Sequence, residues 1–178
     1  MDFALSPAHE DIRRTVRAFA DGRIAPQADA MEASGAFPHE LVREAADLGL
    51  LGVPYPTDIG GTGLDNLAYA ITIEELSRAS GSMGIIVSAH TSLGAGPLYL
   101  AGTPEQQEQF LRPLASGAKL GAYGLTEPGA GSDSRGTKTR ARREGDEWVI
   151  DGAKQFITNA GVADIYICLL YTSDAADE

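Results

Sequence analysis

The hydrophobic pattern changes its period near residue 120, and this change constrains the fold more than any other feature of the sequence. Upstream, apolar side chains recur at helical spacing, as at Ile12, Val16 and Phe19, so that they share one helix face. Downstream, residues 137–143 alternate in the manner of a strand with one buried face. Because the two patterns follow one another, the sequence predicts an α+β fold, with an all-helical domain at residues 1–120 and strands from residue 121.

Local capping signals divide the first region into five helices. Serine, threonine, asparagine and aspartate favour the N-cap position because their oxygens accept the free N–H groups of the first turn. The predicted caps are Ser6, Asp65 or Asn66, Ser82 and Thr103, while another helix begins near Pro38. Thr103 and Gln106 form a capping box, and Gly49 and Gly117 are predicted helix ends. Apolar residues expected to face inward are Ala20, Leu41, Val42, Ala45, Leu48, Leu67, Ala70, Ile71, Leu76, Phe110, Leu111 and Leu114.

A hairpin is predicted in the second region. Asp151-Gly152 is typical of a type I′ turn, with residues 148–150 before it and residues 154–158 as the returning strand. Another strand begins at Ala163. So few strands rarely close a core, so we expect residues 121–167 to form the opening strands of a truncated, antiparallel β-barrel-like domain.

The last segment, CLLYTSDAADE at residues 168–178, differs in composition from the strand pattern before it. It resembles the in-frame translation of a transposase adapter that is used in sequencing libraries. We therefore expect a non-native tail here, and a natural protein that continues beyond Ile167. The alternative is a genuine acidic tail.

Charge and residue usage narrow the classes of function. A net charge of −11 disfavours nucleic-acid binding. Cys168 is the only cysteine and the three histidines are far apart, so we expect neither a disulfide nor a metal site. The apolar stretch from Met83 to Ala101 carries polar residues that disfavour a membrane span. With no pattern of an export signal at the start, a cytoplasmic bacterial location is the default expectation.

Two short segments carry polar chemistry. In residues 123–133, Gly129 and Gly131 leave the backbone accessible, and hydroxyl and carboxylate groups lie nearby. This pattern suits a ligand rich in polar ring atoms or phosphate oxygens, although a simple loop between two strands also fits. In residues 155–159, Phe156 and Thr158 share one face if the segment is a strand. They could cover a flat heteroaromatic ring and donate to it, or be a core phenylalanine and a solvated threonine.

In their order along the chain, these segments closely resemble the acyl-CoA dehydrogenase family. LTEPGAGSD at residues 125–133 is followed by DGAKQFITNAG at residues 151–161. Upstream, residues 37–65, the Glu74-Glu75-Leu76 stretch and GTPEQQEQFLRPLASG at residues 102–117 are similar to the family as well. The resemblance extends to Ile167. It implies a helical domain, a β-barrel-like middle domain and a C-terminal four-helix bundle, of which this chain supplies the first and part of the second.

The resemblance implies FAD as the cofactor. By motif matching, the expected flavin-binding residues are Tyr123, Leu125, Thr126, Ser132, Phe156 and Thr158. Backbone groups of Leu125 and Thr126 would meet the pyrimidine edge of the flavin, and Ser132 would lie where FAD and the CoA part of the substrate meet. Phe156 stands where many relatives have tryptophan against the ring. Thr158 would donate its hydroxyl toward flavin N5.

The implied reaction is α,β-dehydrogenation of an acyl-CoA thioester, in which a glutamate takes the α-proton and flavin N5 takes the β-hydride. Ile85, Ala89 and Leu93 share a helix face and could line the acyl pocket or belong to the ordinary core. The family's glutamate base lies in its C-terminal bundle, and no residue here matches it. We therefore expect the chain as given to be inactive.

The resemblance also implies an electron-transferring flavoprotein as electron acceptor and a homotetramer for the parent protein. Two other readings stay open. One is a flavin-dependent monooxygenase or oxidase of the same fold. The other is an acyl-CoA-binding relative that has lost catalysis.

Overall fold

The computed structural model describes residues 4–172. Its helices, in chain order, are α1 (Pro7–Phe19), α2 (Ala28–Ser34), α3 (His39–Asp47), α4 (Asn66–Ala79), α5 (Gly81–Ser88), α6 (Gly96–Ala101), α7 (Pro104–Gln106) and α8 (Arg112–Ala115). Three π-helical turns continue α1, α5 and α7 over Ala20–Ile24, Ala89–Ala95 and Gln107–Leu111. The strands are β1 (Gly121–Gly124), β2 (Arg140–Glu144), β3 (Glu147–Asp151), β4 (Ile165–Cys168) and β5 (Tyr171–Thr172). The helices precede the strands, which confirms the predicted α+β class.

The predicted caps are confirmed except at one helix. Ser6 accepts a hydrogen bond from His9 N at 3.3 Å, and Asp65 accepts one from Ala68 N at 2.9 Å. Both bonds of the predicted capping box at Thr103 are also made. The prediction of Ser82 as a cap is wrong, because Ser80 caps α5 through a bond from Met83 N at 3.3 Å.

The apolar core is built between the helices. Its principal cluster contains Val16, Phe19, Ala20, Ile24, Leu41, Val42, Ala45, Leu50, Leu51, Leu76, Met83, Ile86, Val87 and Leu120. A second cluster contains Tyr55, Ala95, Leu111, Leu114 and Ala115. Four residues predicted to face inward are exposed instead: Leu48, Leu67, Ala70 and Phe110. Leu48 follows the last turn of α3, where the chain reverses at Gly49 with φ +73°. Leu67 lies in the first turn of α4, on its solvent side.

The strands form two small sheets with mixed pairing. β2 and β3 are antiparallel and joined by a turn at Gly145-Asp146, with Glu144 opposite Glu147. β1 pairs with β4 and β2 pairs with β5, both in parallel. The expectation of purely antiparallel strands is therefore corrected in this detail.

The predicted returning strand at residues 154–158 is wrong. After Asp151 the chain leaves the sheet, and Gln155 N donates to Thr126 O at 2.8 Å rather than to β3. Phe156 adopts φ +57°, which a regular strand does not allow. Contacts with the loop after β1 therefore override the Asp-Gly turn signal.

Two buried polar side chains attach β1 to the helices. His90 Nδ1 accepts from Gly121 N at 2.9 Å, and its Nε2 donates to Leu114 O at 3.1 Å. Asn159 Nδ2 donates to Ile86 O at 3.2 Å and to Gly121 O at 3.0 Å. These bonds bring the segment before residue 160 against both α5 and β1.

The final described residues continue the sheets. Cys168 is the last residue of β4, opposite Gly124, and Tyr171 N donates to Thr139 O at 2.9 Å. The expected non-native origin of residues 168–178 stays a prediction, and residues 173–178 lie outside the described part of the chain.

Candidate functional site

Three separate segments enclose one cavity at the junction of helices and strands. Its volume is about 180 Å³, and it is lined by Ala89, Leu93, Tyr123, Leu125, Thr126, Phe156, Ile157 and Thr158. The first two come from the π-helical turn after α5, the next three from β1 and the loop that follows it, and the last three from the irregular segment after β3. Five of the six predicted flavin-binding residues and two of the three predicted acyl-pocket residues thus share this cavity.

Polar groups around the cavity have unused hydrogen-bonding capacity. The N–H groups of Leu125 and Thr126 donate to no acceptor within residues 4–172. In the same part of the chain, neither the Thr126 hydroxyl nor the Thr158 hydroxyl has a partner. Both threonines are only half-buried. The cavity can therefore offer several donors to a ligand with polar ring atoms.

The aromatic ring of Phe156 is exposed to solvent beside these donors. The Phe156 side chain is 87% exposed, although it lines the cavity together with Leu125 and Thr158. Its positive φ of 57° is uncommon for a bulky residue and indicates a position that surrounding contacts enforce. An exposed ring next to unused donors fits a flat, polar heteroaromatic group such as a flavin.

A partly buried ion pair joins the loop after β1 to the segment after β3. Lys154 Nζ lies 2.8 Å from Glu127 Oε1 and 3.0 Å from Leu125 O. Glu127 also accepts from Lys138 N at 2.7 Å and Thr139 N at 2.9 Å. The Lys154 hydrogen bond is the main reason that the Glu127 pKa falls to about 2. Glu127 is consequently a fixed carboxylate that supports the loop.

His90 supports the cavity from the helical side. It is fully buried, and burial lowers its pKa to about 4. The neutral ring accepts from Gly121 and donates to Leu114. This arrangement fixes the start of β1 relative to the helix that carries Ala89 and Leu93.

Two predicted site residues lie elsewhere. Ser132 is exposed on the loop after Ala130 and does not line the cavity. Ile85 is 53% exposed and lines a separate cavity of about 380 Å³ together with Phe37 and Val162. Ile85 lies one helical turn before Ala89, which is enough to place it over a different part of the chain.

No aspartate or glutamate of the described chain lines the cavity. Glu75 is buried in an ion-pair network with Arg17 and Arg78, and Glu74 is exposed, with its nearest cation, Arg13, at 3.9 Å. Glu127 is held by Lys154. Within residues 4–172 no cluster of side chains suits a metal ion, and no helix there is long and apolar enough to span a membrane.

Sequence reasoning missed three residues that shape the site. Lys154, Ile157 and Asn159 all lie inside the quoted DGAKQFITNAG segment, yet only Phe156 and Thr158 were predicted to act. A buried lysine is rare unless it is paired, but nothing in the sequence shows that Lys154 is buried. Its role depends on the contact with Glu127, which is distant in the chain.

Comparisons with known proteins identify the family of the chain. The family model of the acyl-CoA dehydrogenase N-terminal domain matches residues 6–118, and that of the middle domain matches residues 122–178. The probable acyl-CoA dehydrogenase YngJ of Bacillus subtilis is 45% identical over 99% of this chain and 47% of its own length. The short-chain specific acyl-CoA dehydrogenase of Clostridium acetobutylicum is 46% identical over 97% of this chain and 45% of its own length.

Solved structures give the same result. Butyryl-CoA dehydrogenase from Megasphaera elsdenii matches with a TM-score of 0.89 and 40% identity, over 94% of this chain and 45% of that one. A chain from a structural study of the electron transferring flavoprotein of Acidaminococcus fermentans matches with a TM-score of 0.95 and 37% identity, over 99% of this chain and 46% of that one. The chain thus spans less than half the length of these relatives. It belongs to the acyl-CoA dehydrogenase family.

Proposed function

We propose that the whole protein is an FAD-dependent acyl-CoA dehydrogenase that removes hydrogen from the α and β carbons of an acyl-CoA thioester. The single observation that carries this proposal is the cavity between Thr126 and Thr158. It combines an open aromatic ring with several donors that lack acceptors in the described chain. These are the properties that a flavin ring requires of its binding site, because the ring is flat, apolar on its faces and polar at its edges.

Each residue then has a defined task toward the flavin. The Leu125 and Thr126 N–H groups would bind the pyrimidine edge, and Phe156 would cover one face of the ring. The Thr158 hydroxyl would donate a hydrogen bond to flavin N5 and would stabilise negative charge there. FAD, when bound, supplies the hydride acceptor, and the protein supplies orientation and electrostatics.

The α-proton requires a base that the cavity lining does not provide. Glu127 and Glu75 are held in ion pairs, and Glu74 does not line the cavity. We propose that the base is a glutamate outside residues 1–178. The chain as given then lacks the group that starts the reaction.

The acyl-CoA substrate is proposed to approach along Ala89 and Leu93. Ala89 is buried and Leu93 is 45% exposed, so together they form an apolar wall of the flavin cavity. Ser132 and Ile85 stay predictions as CoA-side and acyl-side contacts. The names of two relatives, short-chain specific and butyryl-CoA dehydrogenase, make short acyl chains the first substrates to test.

The proposed electron acceptor is an electron-transferring flavoprotein, which accords with the study from which one matching structure comes. The proposed assembly of the whole protein is a homotetramer. Sedimentation of the full-length protein tests the assembly, and reduction of the purified acceptor tests the partner. A cytoplasmic location stays a prediction from the sequence.

The proposal is tested with full-length protein purified under anaerobic conditions. We expect a bound flavin whose visible absorption bleaches when butyryl-CoA is added. The Thr158→Val variant should bleach at least about tenfold more slowly, because a donor to the developing charge is lost. Thr15→Val is the control, since Thr15 is exposed on α1 and bonds only its own helix.

The outcome also distinguishes the proposed function from the two alternative functions. A protein without flavin that still binds acyl-CoA would indicate a relative that has lost catalysis. Bleaching that requires a substrate other than a thioester, followed by rapid reaction with oxygen, would indicate a monooxygenase or oxidase. Either result would contradict the proposed function.

A further inference from the structure

Lys154 contacts the flavin cavity only through the backbone of the loop after β1. It does not line the cavity, and its side chain is 12% exposed. Its ammonium group donates to Leu125 O at 3.0 Å and to Glu127 Oε1 at 2.8 Å. The charge is therefore held behind the cavity wall rather than facing the ligand.

The carbonyl that Lys154 binds belongs to the same peptide group as the Thr126 N–H. Leu125 and Thr126 both line the cavity, and the Thr126 N–H has no acceptor within the described residues. Because a trans peptide group directs its N–H opposite to its carbonyl oxygen, this N–H points away from Lys154. A cation that binds the oxygen of a peptide group polarises the group and makes its N–H a stronger donor. The effect grows as less water reaches the cation, and the Lys154 and Glu127 side chains are only 12% and 6% exposed.

We propose that Lys154 is a positioning residue which polarises the Leu125–Thr126 peptide group toward the flavin. Glu127 holds Lys154 in place and partly offsets the field of its positive charge. The inference rests on the proposed function, because it concerns the same cavity. It adds a residue pair that tunes how strongly the site favours reduced over oxidised flavin.

Loss of either charge is expected to shift the midpoint potential of the flavin, in opposite directions for the two residues. Removing the Lys154 charge leaves the Glu127 carboxylate uncompensated behind the cavity, which disfavours the electron-rich reduced ring. Removing the Glu127 charge leaves the Lys154 ammonium uncompensated, which favours the reduced ring. A purely structural pair would weaken the site in the same direction whichever partner is lost.

The loop around Glu127 should keep its conformation when Glu127 is replaced by glutamine. Glu127 accepts two backbone hydrogen bonds, from Lys138 and Thr139, which an amide oxygen can still accept. Gln155 independently ties both sides of the cavity together, through Gln155 N to Thr126 O at 2.8 Å. Glu127→Gln is therefore a conservative change of charge.

The experiment measures the midpoint potential of the bound flavin in full-length Lys154→Met, Lys154→Arg and Glu127→Gln variants. We expect Lys154→Met to lower the potential and Glu127→Gln to raise it. A tenfold change in the relative affinity for the two flavin states corresponds to about 30 mV for a two-electron couple. Lys154→Arg should stay close to the unchanged protein, because it retains the charge.

The matched control is the exposed pair of Arg142 and Glu144 on β2, which are 2.8 Å apart with side chains 59% and 55% exposed. Arg142→Met and Glu144→Gln should leave the potential unchanged. Shifts of the same sign for Lys154→Met and Glu127→Gln, or no shift in either, would overturn the inference.

A second readout uses the protein without flavin. Base-catalysed exchange of the Thr126 amide proton passes through an anion, so a nearby cation speeds it. Hydrogen exchange followed by mass spectrometry on the peptide that contains Thr126 should show slower exchange in Lys154→Met and faster exchange in Glu127→Gln. Faster exchange in both variants would indicate simple loosening and would contradict the inference.

The two proposals can fail separately. If the full-length protein binds no flavin, the proposed function is wrong, and the exchange rates alone decide whether Lys154 polarises the peptide group. If flavin binds and bleaches but the potentials shift in the same direction, the proposed function stands and the role of Lys154 is refuted.

Discussion

The helical part of the chain encloses its apolar side chains, whereas the strands from Gly121 onward leave many of theirs in contact with solvent. Leu76, Met83 and Val87 are 0% exposed in the helical core. On β3, by contrast, Trp148 is 56% and Ile150 is 59% exposed. Burial of apolar surface therefore stabilises the first part much more than the second.

Polar contacts take over where the apolar core ends. His90 and Asn159 bind the backbone of β1, and Glu127 and Lys154 join the loop after β1 to the segment that carries Phe156. The cavity between Thr126 and Thr158 lies along this boundary. Specific hydrogen bonds fix directions more sharply than apolar packing does, which suits a site that must aim several donors at one ring.

The largest effect is expected from damage to the helical core. Leu76→Ala removes a fully buried side chain and should lower the free energy of unfolding by about 2–5 kcal/mol. Leu100, which is 83% exposed on α6, provides the matched control. Leu100→Ala should change stability by no more than about 0.5 kcal/mol in urea unfolding. Equal losses in the two variants would contradict the core described here.

The junction between the two parts should show a pH dependence. The pKa of His90 is lowered to about 4, so between about pH 6.5 and pH 4 the unfolded chain binds more protons than the folded one. Unfolding free energy should therefore fall as the pH falls through this window, by about 3 kcal/mol, and change no further through His90 below it.

Comparison of urea unfolding at several pH values isolates this contribution. His90→Gln should lose the His90-dependent part of the slope, whereas His39→Gln, at an exposed histidine, should retain it. Identical pH profiles for the His90→Gln variant and the unchanged chain would show that His90 does not stabilise the junction as a neutral ring.

Within the helical part, one buried carboxylate links α1 to α4. Glu75 is 2% exposed and accepts from Arg17 Nε at 3.0 Å and Arg78 Nε at 3.2 Å. Glu75→Gln should cost about 2 kcal/mol, because charge-assisted hydrogen bonds are lost in a buried place. Its neighbour Glu74 is 69% exposed in its side chain, so Glu74→Gln should be nearly neutral. Thermal unfolding of the two variants measures the difference, and equal midpoints would contradict it.

The smallest effect is expected on β3. Ile150→Thr replaces an exposed apolar side chain and should change stability by less than about 0.5 kcal/mol. Ile24→Thr makes the same change at a fully buried position and should be clearly destabilising. A large loss in Ile150→Thr would indicate that β3 is covered in the whole protein.

Features with local causes could be predicted from the sequence. Ser6, Asp65 and Thr103 cap helices because their own side chains reach the N–H groups of the next turn. The prediction of Ser82 as a helix cap is wrong because Ser80, two residues earlier, has the same hydroxyl group and an extended backbone conformation. Sequence alone does not distinguish two serines so close together.

The site residues were predicted by resemblance, but their conformation was not. Phe156 and Thr158 both line the cavity, but they lie on an irregular segment rather than on the expected strand. The cause is the capture of Lys154 and Gln155 by residues 125–127, a contact between segments almost thirty positions apart. No local pattern in the sequence encodes such a contact.

The central claim is that the cavity between Thr126 and Thr158 holds the flavin ring, and a structure of the flavin-loaded full-length protein tests it most directly. The account predicts Thr126 N and Thr158 Oγ1 within about 2.7–3.2 Å of polar atoms of the ring, with Phe156 against its face. A flavin ring bound elsewhere, for example in the cavity beside Ile85, would contradict it.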